Sequence, residues 1–76
     1  LAIARAALLT GPAQVIALNA SNEIAVEAFL QRKISFTAIA KTVAHIVETT
    51  ETIAITSIDD VVMADSAARK RTEDLI

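Results

Sequence analysis

Cysteine is absent from this 76-residue chain, which removes disulfide staples and thiolate zinc sites and leaves the core alone to hold the fold. Glycine and proline occur once each, so collagen-like, glycine-rich and proline-rich classes are excluded. Tryptophan and tyrosine are missing, and the only aromatics are Phe29 and Phe36. Nor is there a surplus of positive charge. Seven Lys and Arg stand against nine Asp and Glu, a net charge of −2, which points away from nucleic acid as a partner. A long apolar run is lacking too: the widest stretch without a formal charge, Ala6 to Asn22, is broken by Thr10, Gly11, Pro12, Gln14 and Asn19, whereas a membrane span needs about 20 mostly apolar residues. The chain opens Leu1-Ala2-Ile3-Ala4-Arg5 without Met and without the regions of a signal peptide, and it reads as a segment of a larger protein that starts inside a helix.

What is present is a helical composition. Hydrophobic residues make up 54% of the chain and 16 residues are Ala, which excludes disorder. Leu1 to Thr10 is almost all Ala, Leu and Ile around Arg5, and it ends at Gly11-Pro12, with Gly11 as an αL stop and Pro12 opening the next helix. From Ala13 to Lys33, apolar residues at Val15, Leu18, Ala25, Val26 and Phe29 follow helical spacing. Ser35 stands in an N-cap position before Phe36, Ile39, Val43, Ile46 and Val47, which predicts a helix running to about Thr49. Glu51 to Thr56 alternates in the manner of a strand but has no partner strand, so an extended connector is expected. Ser57 then caps a last helix, with Asp59 and Asp60 in its first turn, where the helix dipole favours negative charge. Four helices joined by short links make an all-α chain, a small four-helix bundle.

Candidate chemistry is sparse. Asn19, Asn22 and Glu23 share one helix face, and Asn22 falls on the stripe of Val15, Leu18 and Phe29, so it is expected to be partly buried, either in a polar ligand site or in an amide network that fixes the helix. Glu23 and Glu27 one turn apart, with His45 and Glu48 three apart, echo the carboxylate metal sites of helical bundles. Such a site needs two Glu-x-x-His pairs, and this chain holds one His in the reverse order. Asp65-Ser66 invites comparison with an acyl carrier protein, but Ala67 follows where such carriers have Leu, and the pair lies in the last helix. Arg69-Lys70-Arg71 is followed by Glu73 and Asp74 and reads as a solvated helix end. No catalytic, cofactor-binding or metal-binding residue is assigned on this basis. Phe29 and Phe36 are expected at the same end of the bundle, both buried and anchoring one corner.

One run carries more. Ala17-Leu18-Asn19-Ala20-Ser21-Asn22-Glu23-Ile24-Ala25-Val26-Glu27-Ala28-Phe29-Leu30 resembles the L-N-A-A-N-E-x-A-V-x-A-F-L signature that opens the C-terminal domain of the 1-deoxy-D-xylulose 5-phosphate reductoisomerase family. Lys33 to Ile39 resembles that family's entry to the following helix, and Ser57 to Arg69 its last helix, with Ser21 and Ala38 as mild departures. The resemblance implies that residues 1–76 are the helical C-terminal domain of an enzyme of isoprenoid biosynthesis by the methylerythritol phosphate pathway. That enzyme uses NADPH and a divalent metal, Mg or Mn, is usually a homodimer, and is cytoplasmic in bacteria or plastid-borne. It also implies that the catalytic motifs lie in earlier domains, so the partner of this segment is the catalytic domain of the same chain, with no membrane and no nucleic acid. A free-standing helical interaction module is the alternative.

Overall fold

The computed structural model describes residues 11–76, which form three helices: α1 (Pro12–Leu30), α2 (Phe36–Glu48) and α3 (Ile58–Leu75). These residues are all-helical, as the spacing predicts, but they do not support a count of four. The remaining helix, expected over Leu1 to Thr10, lies outside the described residues.

Each helix start follows from local chemistry. Pro12 occupies the first turn of α1, where its missing N–H costs nothing. Gly11 before it has φ 137° and ψ 177°, an extended left-sided conformation and not the αL geometry expected, and one that side-chain-bearing residues avoid. Ser35 caps α2 by accepting from the Ala38 N–H at 3.3 Å, and Ser57 caps α3 by accepting from the Asp60 N–H at 3.1 Å. The Asp60 carboxylate also reaches back to the Thr56 N–H at 2.9 Å and the Thr56 hydroxyl at 3.0 Å, so the connector is fastened to the helix it feeds. Residues 51–56 are extended without forming a strand.

Helix α1 stops at Leu30, before Lys33. Arg32 adopts a positive φ of 61°, its N–H reaches the Phe29 carbonyl at 2.9 Å, and the Lys33 N–H reaches that of Ala28 at 2.8 Å. This is a Schellman stop built on an arginine instead of a glycine.

Helix α1 is central, with α2 and α3 both packed along it and only lightly on each other. Of the stripe expected, Ala25 is buried and the larger residues only in part. Ala13, Gln14, Ala17, Ala20, Ser21, Ala25 and Ala28 are buried, whereas Val15, Leu18, Val26 and Phe29 are half-buried. A helix flanked on two sides presents small side chains where backbones approach most closely, and the larger ones fill the margins. Thus Ala25 meets Val43 and Val47 of α2, with Leu18, Ile34 and Ile39 around them. Ala17 and Ala20 meet Ile46 of α2 and Ala68 of α3, where all three helices converge. Phe29 and Phe36 do meet, edge to face at 5.6 Å between centroids. Phe36 is nevertheless 72% exposed, so the buried corner expected of both rings is not formed. It caps Phe29 from outside because it is the first residue of α2, beyond the helix–helix contact.

Candidate functional site

A cluster of opposite charges lies between α1 and α3. Arg69 sits one turn after Asp65, and its Nε donates to Asp65 Oδ2 at 2.7 Å. The same guanidinium reaches across to Glu23 on α1 through Nη2, so one cation holds a carboxylate from each helix. Asp65 and then Glu23 hold the Arg69 guanidinium further above its already high ordinary value, which keeps it charged at any working pH. Asn22, Glu23, Glu27 and Arg69 line an open depression of about 490 Å³ with Ile24 and Val26. Asn22 is exposed there, correcting its expected place on the buried stripe, and Asn19 is exposed as well. The buried face of α1 runs instead through Ala17, Ala20, Ser21, Ala25 and Ala28, small residues that hydropathy does not single out.

A second polar junction fastens the α2–α3 link. Gln14, buried on α1, donates through Nε2 to the Thr50 carbonyl at 3.1 Å and to the Thr52 hydroxyl at 3.0 Å. Its Oε1 is buried with no partner among the described residues. Arg71 donates to Thr50 Oγ1 at 3.0 Å and also to the Thr49 hydroxyl. Those hydroxyls in turn donate to helix carbonyls, Thr49 to His45 at 2.7 Å and Thr50 to Ile46 at 2.6 Å. The threonines close the end of α2 and present oxygens to α3. Two further buried hydroxyls satisfy themselves within their own helices, Ser21 on the Leu18 carbonyl at 3.2 Å and Thr72 on that of Ala68 at 2.6 Å.

The structure disperses the other candidates. Glu27 accepts from Gln31 Nε2 at 2.8 Å, while His45 and Glu48 are exposed on α2. The basic run splits, with Arg69 directed to the carboxylates, Arg71 to the threonines and Lys70 to solvent. Ser66 is exposed beside an Asp65 that Arg69 already engages. Among the described residues no group of three or more His, Asp or Glu is placed to hold a metal ion. The chain's single glycine makes no phosphate-binding loop. No described helix is long and apolar enough to cross a membrane.

Sequence reasoning found the caps but missed Gln14, Arg69 and Arg71 as ties between elements. The Asp65-x-x-x-Arg69 spacing was a usable signal for one of them. Gln14, flanked at helical spacing by Ala13, Ala17 and Ala20, was a signal for the other junction.

The helices and their polar ties define the class first: a small all-helical domain of close-packed, alanine-lined helices. The family model described as DXP reductoisomerase C-terminal domain matches residues 1–71, and the chain belongs to that family. It is 46% identical over all of its 76 residues to the 1-deoxy-D-xylulose 5-phosphate reductoisomerase of Burkholderia multivorans, of which it covers 19%. It is 50% identical over 70 residues to the same-named protein of Burkholderia mallei, and equally to that of Burkholderia pseudomallei, covering 92% of this chain and 18% of each relative. The chain thus spans about a fifth of the length of the curated relatives it matches. No solved structure matches it.

Proposed function

We propose that residues 1–76 are the C-terminal domain of a reductoisomerase whose full chain converts 1-deoxy-D-xylulose 5-phosphate to 2-C-methyl-D-erythritol 4-phosphate with NADPH and a divalent metal, Mg or Mn. The role of this domain is to brace the catalytic domain of the same chain, and it contributes no catalytic, cofactor-binding or metal-binding residue. The parent enzyme acts as a homodimer in the bacterial cytoplasm. The observation that carries this reading is the family match over residues 1–71 in a chain covering only a fifth of relatives that bear the enzyme's name. The geometry agrees with a bracing role. Carboxylates, guanidinium groups and buried amides are spent on tying α1, α2 and α3 together, which makes a rigid body suited to support and leaves no convergent set of free acids and bases for chemistry among the described residues.

The test is an assay of the full-length chain for NADPH oxidation on 1-deoxy-D-xylulose 5-phosphate with Mg²⁺. Turnover is the expected result. A full-length chain that encodes no nucleotide-binding region and shows no turnover refutes the reading and leaves the free-standing interaction module in its place.

A further inference from the structure

The first half of α3 carries an apolar face that no other described element covers. Ile58, Val61 and Val62 stand at i, i+3 and i+4, with Met63 next to them, and Ile53 of the connector is exposed as well. Ile58 is 82% exposed, Met63 70% and Val62 56%. The buried residues of α3, Ala68 and Thr72, both lie in its second half, so the first half has no comparable seat on α1. It is still firmly built, because Ser57 caps it and Asp60 clasps Thr56. Large aliphatic side chains held in this way on a fixed helix are the signature of a docking surface.

We propose that this face is seated against the preceding catalytic part of the same parent chain. The inference rests on the bracing role and names the surface through which the brace acts. The chain covers only 18–19% of its relatives, so about four-fifths of the parent polypeptide lies outside it. That polypeptide is covalently joined to this domain, and tethering gives it an effective concentration on the order of millimolar, which a second copy recruited from solution does not have. The other exposed aliphatic and aromatic side chains are less suited. Leu30 and Phe36 flank the α1–α2 turn, and Phe36 already contacts Phe29, while Leu75 and Ile76 form only a pair.

The experiment uses the full-length chain carrying Val62→Cys or, as a second site, Met63→Cys, with Lys41→Cys on the exposed side of α2 as reference. Maleimide labelling of each site is followed by mass spectrometry and compared with the urea-unfolded chain. Labelling at residues 62 and 63 at least tenfold slower than at residue 41 supports the proposal, and equal rates overturn it. A photo-cross-linker at residue 62, in a mixture of ¹⁴N- and ¹⁵N-labelled chains, identifies the occupant. Cross-links to upstream residues of the same chain support the proposal; cross-links between differently labelled chains, or to residues 1–10, overturn it. The turnover assay run in parallel separates the two failures. Free labelling in an active enzyme removes the docking face alone, whereas the absence of both turnover and an upstream nucleotide-binding region removes the parent enzyme as well.

Discussion

The middle of α1 and the first half of α3 use side chains in opposite ways. On α1, Ala17, Ala20, Ser21 and Ala25 are buried though small, because two helices close over them. On α3, Ile58, Val62 and Met63 are large and apolar yet exposed, because no described element covers them. Residue size and hydropathy alone therefore do not report burial among the described residues; position relative to the three-helix junction also decides it. The contrast also separates the packing of the three helices along α1 from the proposed docking face at the start of α3.

The largest effect should come from the junction itself. Ile46 is among the largest fully buried side chains, and Ile46→Ala should cost about 2–5 kcal/mol, read as a fall in the urea midpoint. Ile58→Ala, a deletion of similar size on the exposed face, should stay within about 0.5 kcal/mol in the 76-residue chain. Equal losses at the two sites would dissolve the comparison. Next comes the polar junction. Gln14→Ala removes both hydrogen bonds to residues 50 and 52 and leaves their oxygens short of a donor, a loss of about 1–3 kcal/mol. A smaller gain is expected in the α1–α2 turn, where Arg32→Gly relieves a left-handed residue and should raise the urea midpoint by the equivalent of up to about 1 kcal/mol.

The smallest effect is electrostatic. The Thr56 N–H, followed by the Thr56 hydroxyl, holds the Asp60 carboxyl below its ordinary 3.8. Because the folded value is the lower one, its contribution is present above the unfolded value and disappears as pH falls through the folded value. Asp60→Asn should consequently lower Tm slightly at neutral pH, by an amount that shrinks as pH falls below 3.8, and so flatten the acid slope of Tm. An unaltered acid slope would show that the Thr56 clasp does not persist in solution.

Much of this architecture was legible in the residues. Ser35, Ser57 and Pro12 announced the three helix starts, since a cap depends on chemistry within four residues. The face of α1 was not legible. Periodicity ranks positions by hydropathy, and a helix enclosed on two sides by close neighbours selects for smallness, so Val15 and Leu18 drew the stripe that Ala17, Ala20 and Ser21 occupy. The same error placed Asn22 inside and Phe36 in a buried corner. The end of α1 was overrun because nothing in Gln31-Arg32-Lys33 marks a left-handed stop when the residue that adopts it is not glycine. Of the polar ties, Asp65–Arg69 and Thr56–Asp60 are local, whereas Glu23 to Arg69 and Gln14 to Thr50 join residues far apart in sequence and depend on the packed helices to meet.

The most direct measurement is steady-state kinetics of the full-length chain carrying Arg69→Ala, the residue that pairs with both Asp65 and Glu23. If the cluster only ties α1 to α3, Tm should fall while turnover below the new Tm, and the KM for NADPH and for 1-deoxy-D-xylulose 5-phosphate, stay within about threefold of the unaltered enzyme. Turnover slowed by about 100-fold or more at unchanged Tm, on the order of 2.7 kcal/mol in the barrier, would place this domain in the chemistry and contradict its role as a brace.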